Sequence, residues 1–425
     1  MDRFFGLIGI AVILIIAFLM SNNRKAINYR LVVSGLLLQI VLAVFILKVP
    51  FGQMLFSKIG FGITKLLDYA TMGGNFVFGI LMDDKALSSV FGIGKGFIFM
   101  FKLVPTIILV SVLVSIAYHI GLMQRIVAVF AKGMHFIMRI SGSEALSNVS
   151  SAFVGQVEAQ ILIKPYISTM TMSELLASMT GSMACIAGGV MAVYISMGVP
   201  AEYLLAASIM AAPAALVISK IVYPETEESK TQGVVKLEVK RAHANLLDAI
   251  SHGAGDGWRV SLNVIAMLIG FIALIALVDG VLGWGGRLLV QNTGWSTNAI
   301  GINLESLSLK SILGSVFSLF AYVMGVSWSE AHTVGSFMGT KFVINEFVAY
   351  TDLAAVKATL SPKALVIASF ALCGFANLSS IAIQVGGIGE LAPDRRKDLA
   401  KLGFTALICG TLTNYLSAAL AGILM

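Results

Sequence analysis

Charge is what this chain lacks most. Asp, Glu, Lys and Arg make up 12% of its 425 residues, about half the share found in soluble domains. Apolar residues make up 58%, and the mean hydropathy is +0.91. A soluble protein of this length could not cover its surface with so few charges, so the chain is read as an integral membrane protein of many spans. Cysteine is also rare. Cys185, Cys373 and Cys409 lie inside apolar segments, in odd number and without metal-ligand spacing. That speaks against a disulfide framework and a cysteine-held zinc centre and leaves the three as small buried hydrophobes. Enzyme motifs such as His-Glu-x-x-His and Gly-x-Ser-x-Gly do not occur, so catalysis finds no support. The net charge of +7 invites a nucleic-acid reading. The basic residues sit in short runs between apolar segments, which fits the positive-inside rule instead, and no nucleic-acid partner is expected.

What is present is a series of apolar runs. Phe4 to Met20 is unbroken, and its positive charges, Arg24, Lys25 and Arg30, follow it. That order reads as a retained first span with its N-terminus outside, not a cleaved signal. Leu31–Leu47 is the second span and Phe97–Ile120 the third, with a mixed stretch, Phe51–Lys95, predicted to hold an outer interfacial helix. Met123–Ile140 places Arg125, Lys132 and Arg139 seven apart on one face, the pattern of an amphipathic surface helix. Leu175–Ala201 carries no charge but contains Gly188-Gly189, a site for close packing or a break. Tyr203–Ile218 and Val260–Val278 follow as spans, joined by the one clearly hydrophilic stretch, Tyr223–Asp256. Gly280–Leu307 reads as a turn-rich outer segment, Ser308–Gly325 as an apolar helix, and Ala364–Gly389 as a span interrupted at Gly374–Ser380. The last span is Leu402–Met425.

Two segments are too polar for lipid and too apolar for loops: Gly142–Pro165, with Glu144, Gln156 and Glu158, and Trp328–Tyr350, with Glu330 and Glu346. Ionisable groups at membrane depth line cavities or pathways. Each segment fits a re-entrant hairpin, the first with its tip at Val154–Glu158 and the second near Asn345-Glu346; a tilted span with a polar stripe is the alternative for the first. Ser143-Glu144-Ala145 is echoed by Ser329-Glu330-Ala331, and Gly155–Ala159 by Asn345–Ala349. The order amphipathic helix, hairpin, broken span, span occurs twice, separated by an odd number of crossings. That predicts an inverted repeat with hairpins entering from opposite faces, and such polar segments point to a transporter's binding site.

At Gly155-Gln156-Val157-Glu158-Ala159, at Gly339-Thr340-Lys341 with Asn345-Glu346-Phe347-Val348-Ala349-Tyr350, and at Gly374–Ser380, the chain resembles the concentrative nucleoside transporter family over nearly its whole length. The resemblance implies an all-α membrane fold of eight transmembrane helices plus two re-entrant hairpins, an elevator mechanism, and a homotrimer in lipid. For a bacterial member it implies the inner membrane. Residues 1–122 would form scaffold spans one to three with the outer helix, 123–222 the first transport repeat, 223–281 the linker and scaffold span six, and 282–425 the second repeat. The implied activity is import of a nucleoside such as uridine, coupled to sodium, with protons as the alternative ion.

By the same resemblance Glu346, Asn377 and Ser380 bind ribose, Gln156 and Glu158 read the base edge, and Phe375 walls the base, with Val157, Val190 and Leu262 completing the pocket. A carboxylate suits sugar hydroxyls because charge-assisted bonds are roughly twice as strong as neutral ones. Sodium is assigned to Ser151, Val154, Cys185 and Ile186. Ser151 stands where sodium-coupled members have Asn, Cys185 where they have Ser, Val157 where Thr is usual, and Gln160 where Pro is usual. A thiol is a poor ligand for a hard cation. A passive channel is the remaining rival, and broken spans facing two hairpin tips fit an occluded solute better. Glu144 and Glu330 read as first-turn helix residues, not as ligands.

Overall fold

The computed structural model describes residues 2–91, 98–232, 243–293 and 304–425, and every element among them is helical. In chain order the α-helices are α1 (Asp2–Leu19), α2 (Tyr29–Leu47), α3 (Pro50–Phe78), α4 (Asp84–Phe91), α5 (Phe99–His119), α6 (Leu122–Met138), α7 (Gly142–Ser151), α8 (Glu158–Ile161), α9 (Lys164–Ile167), α10 (Met172–Ala184), α11 (Gly188–Ser196), α12 (Ala201–Val222), α13 (Leu246–Thr293), α14 (Leu309–Val323), α15 (Trp328–Val343), α16 (Glu346–Val356), α17 (Pro362–Leu372), α18 (Leu378–Leu391) and α19 (Arg396–Leu424). Among the described residues six helical stretches are long and apolar enough to cross a membrane: Tyr29–Leu47, Met100–His119, Met172–Ser196, Ala201–Val222, Leu246–Asn292 and Pro393–Leu424. Lys95, Lys236, Lys240, Arg241 and the middle of the expected outer segment, 294–303, lie outside the described residues.

Helices α12 and α19, which close the two expected repeats, form the centre. α19 packs against α1, α10, α12, α17 and α18, and α12 against α2, α3 and α10. Small residues permit this approach. Ala206, Ala207, Ala211, Ala214 and Ala215 are buried on α12, and Gly410 on α19 sits where a Cβ would lie 2.9 Å from Met183 Cβ. In contrast, α13 packs chiefly on α5 and leaves Ile269, Ile272, Leu274 and Leu277 exposed.

Local signals set the boundaries. Ser141 and Thr171 form capping boxes with Glu144 and Glu174, so the first-turn role expected of Glu144 is what the chain adopts. Glu330 lies in the first turn of α15 and accepts from Ser327 Oγ at 2.8 Å and from the Ser361 backbone N–H at 2.6 Å, joining the starts of α15 and α17. On α6 Val127, Ala131, Met134 and Met138 are buried and Arg125 and Lys132 exposed, as the spacing predicts, whereas Arg139 falls just past the helix as its exposed left-handed C-cap. At the base of α7 the buried Glu144 pairs with the buried Lys220 of α12.

Three expectations change in detail. Phe51–Lys95 is mostly one 29-residue helix, α3. Gly280–Leu307 is not turn-rich at its start, because α13 runs on to Thr293. Gly286 there serves close approach and not a turn: a Cβ would lie 2.0 Å from Leu304 O. The first interrupted span breaks at Cys185–Ala187, just ahead of the glycine pair, which opens α11 instead.

Candidate functional site

Four interruptions carry the polar chemistry: the turn between α7 and α8, the α10–α11 break, the α15–α16 turn and the α17–α18 break. They are linked in series. Gly188 N–H donates to Phe153 O at 3.4 Å, joining the first turn to the first break. Phe375 N–H donates to Cys185 O at 3.3 Å, joining the two breaks. Asn377 Nδ2 donates to Glu346 Oε2 at 3.0 Å, joining the second break to the second turn. Gly374 makes the middle link possible, since a Cβ there would lie 2.7 Å from Ala184 O.

The two asparagines at these turns have a helical reason to be there. Asn345 Oδ1 accepts from Val348 N–H at 3.0 Å and caps α16, and Asn377 Oδ1 accepts from Ser380 N–H at 2.9 Å and caps α18. Glu346 is therefore the first residue of α16, where a carboxylate faces the positive end of the helix. It is 5% exposed and also accepts from Tyr194 OH of α11 at 3.3 Å. Among the described residues no direct ion pair joins it to Lys341. Lys341 Nζ donates to Ala371 O at 2.9 Å and to Asn414 Oδ1 at 2.6 Å. Asn414 Nδ2 in turn donates to Ala184 O at 2.7 Å and to Cys373 O at 2.5 Å. One amide on α19 thus holds the last carbonyl of α10 and the first free carbonyl after α17. These are helix-end acceptors that would otherwise be buried without a donor.

Of the residues expected in the pocket, Glu346, Asn377 and Ser380 are brought together directly, and Phe375 is half-buried in the same break. Val157 packs against α18, because a Cβ on Gly387 would lie 2.6 Å from Val157 Cγ2. Gln156 is buried with its Oε1 lacking a partner among the described residues. Glu158 is exposed at the start of α8, its carboxylate folded over Gly155, and Val190 is half-buried on α11. Leu262 stands apart, 43% exposed on α13.

The four expected sodium positions lie around the first turn and first break. Ser151 Oγ donates to Ser147 O at 2.8 Å and lies 3.1 Å from Ser182 Oγ. With its hydrogen on Ser147 O it accepts from Ser182 Oγ, which leaves one lone pair for a cation. Cys185 turns its thiol toward Ser208 O at 3.7 Å, so the side chain is directed at α12. Val154 and Ile186 are buried. The available donors are hydroxyl and carbonyl oxygens, which suit a hard monovalent cation. Sequence reading missed Ser182, Gln160, Tyr194 and Asn414. Gln160 is a hub, with Nε2 donating to Ser147 Oγ at 3.1 Å and to Ser182 Oγ at 2.5 Å, and Oε1 accepting from Ser178 Oγ at 2.5 Å. Asn414 had one available signal, a lone amide in an apolar span.

Comparison with known proteins places the whole chain among transporters. The family model described as Na+ dependent nucleoside transporter C-terminus matches residues 203–422, its N-terminal counterpart residues 8–81, and a model named Nucleoside recognition residues 100–201. The chain is 41% identical to the uncharacterized transporter YutK of Bacillus subtilis, over 99% of each chain. It is 37% identical to nucleoside permease NupC of Helicobacter pylori, over 99% of this chain and 97% of that one. It is also 38% identical to sodium/nucleoside cotransporter 1 of Rattus norvegicus, over 98% of this chain and 63% of that longer protein. Its fold matches the structure of CNTnw in an inward-facing substrate-bound state with TM-score 0.92 and 40% identity, over 100% of this chain and 98% of that one. The chain belongs to the Na+-dependent, or concentrative, nucleoside transporter family and is a membrane transporter, not an enzyme.

Proposed function

We propose that the protein is a secondary active symporter that brings nucleosides such as uridine across the inner membrane of a bacterial cell, driven by an inward sodium gradient. The observation that carries this reading is the buried Glu346 carboxylate, held by Asn377 and Tyr194 where a helix turn meets a span break. A neutral, hydroxyl-rich solute needs such an acceptor. Glu346, Asn377 and Ser380 would take the ribose. Gln156, whose buried Oε1 lacks a partner among the described residues, would read the base edge together with Glu158. Phe375 would lie against the base, with Val157 and Val190 beside it and Leu262 reaching the pocket from the scaffold.

Sodium would be held by Ser151 Oγ and by the backbone carbonyls of Val154, Cys185 and Ile186, with Ser182 offering the hydroxyl that Cys185 lacks. Because Phe375 N–H is bonded to Cys185 O, ordering the first break around an ion would also order the base contact. That is a physical route for coupling. In this reading α7–α9 and α15–α16 are re-entrant hairpins. The shorter apolar α1 and the α17–α18 pair add to the six long stretches to give eight spans. The repeats would move as an elevator against a scaffold of α1–α5 and α13, assembled as a homotrimer in lipid. The test is isothermal calorimetry of uridine on purified protein in sodium and in choline buffer. Tight binding that requires sodium supports the proposal; equal binding in both buffers refutes the coupling, and no binding in either refutes the substrate.

A further inference from the structure

Away from the nucleoside site, where the chain enters α13, three ligand-bearing side chains converge. His243 Nδ1, Asp248 and His252 Nε2 have ligand atoms all within 4.8 Å of one another. Asp248 Oδ1 lies 3.4 Å from His252 Nε2, and Asp248 Oδ2 lies 4.0 Å from His243 Nδ1. In a tetrahedral zinc site with bonds of about 2.0–2.1 Å, neighbouring ligand atoms sit roughly 3.3 Å apart. One of the three edges is already at that spacing, and the other two need only side-chain adjustment.

A second, independent observation points the same way. Ser115 Oγ donates its one hydrogen to Ala249 O at 2.8 Å and lies 3.2 Å from His243 Nε2. The hydroxyl can therefore only accept from that nitrogen, so Nε2 carries a hydrogen and Nδ1 is the ring atom turned toward Asp248. Metal-binding histidines are oriented in this way, with the other ring nitrogen donating to a fixed partner. Asp248 is likewise pinned, with Oδ2 accepting from Ala244 N–H at 2.9 Å. His252 is 63% exposed along its side chain, which leaves an open side for water.

We propose that His243, Asp248 and His252 form a binding site for one borderline divalent cation, of the zinc or nickel class, with Ser115 as the positioning residue for His243. Two imidazoles and one carboxylate suit such ions better than calcium or magnesium. The cation would tie the segment entering α13 to its first turns and to α5.

The experiment is titration of the full-length, tag-free protein in detergent with Zn2+, read by calorimetry and by bound metal after desalting. One equivalent per chain is expected. His243→Ala and His252→Ala should each abolish it, and Asp256→Asn nearby should leave it unchanged. Ser115→Ala should weaken it about 10–100-fold, the usual effect of losing such an orienting partner. Uridine binding, measured in parallel, confirms that each variant is folded. Less than a tenth of an equivalent in the folded wild-type protein, or equal uptake by the two histidine variants, overturns the proposal.

Discussion

Replacing Glu346 by Gln separates the carboxylate's charge from its shape. The carboxylate now accepts from Asn377 Nδ2 at 3.0 Å and from Tyr194 OH at 3.3 Å. A glutamine can keep Oε1 toward Asn377 and turn its amide toward Tyr194, whose hydroxyl then rotates to accept. The fold should lose only about 1 kcal/mol. Substrate binding loses more. A hydrogen bond to a charged group contributes about 1.5–3 kcal/mol and a neutral one about 0.5–1.5. Two ribose hydroxyls would therefore cost roughly 2–3 kcal/mol, or about 30–150-fold in Kd. Calorimetry with uridine in sodium buffer reads that change, and thermal unfolding reads the stability. 2′-Deoxyuridine adds a cycle: the penalty for the missing hydroxyl should shrink in the variant if that hydroxyl meets Glu346. An unchanged Kd, or a large loss of stability with affinity intact, would refute the reasoning and leave Glu346 a structural cap.

Further outcomes follow from the same geometry. Asn414→Ala removes the donor to Ala184 O and Cys373 O and an acceptor of Lys341, and should cost about 3–5 kcal/mol in thermal unfolding, at roughly 1–3 kcal/mol per orphaned buried group. Ser182→Ala and Ser151→Ala should each raise the sodium concentration for half-maximal uridine binding about 5-fold, the equivalent of roughly 1 kcal/mol, while affinity at saturating sodium stays within 2-fold. Glu144→Gln leaves the buried Lys220 with only Glu225 and Ser173 and should destabilise the protein by about 3 kcal/mol. Glu225→Gln, at a partner 28% exposed, should cost about 1 kcal/mol or less in the same assay.

How much of this was legible depends on the range of the interaction. The α6 faces, the helix start at Glu144 and the α15–α16 turn at Asn345-Glu346 are local, set by spacing and capping, and were readable in the sequence. The α10–α11 break was readable only roughly. Gly188-Gly189 marked it, but the backbone opens three residues earlier, where Asn414 of α19 supplies a donor for Ala184 O. Gln160 looked like a mere departure from proline. Its partners Ser147, Ser178 and Ser182 come from other elements, and no local rule assembles them. The glycines after residue 280 read as turns because sequence cannot show that a helix uses them for contact with Leu304. Leu262 had no motif to anchor it, and α13 leaves it exposed in the single chain.

The central claim, sodium-driven nucleoside transport, is tested most directly by uptake of radiolabelled uridine into proteoliposomes under an inward sodium gradient, an inward proton gradient, or neither. Saturable accumulation is expected with the sodium gradient alone, and is lost in the Glu346→Gln variant. Accumulation driven by protons and indifferent to sodium would contradict the ion site built on Ser151, Ser182 and the first span break.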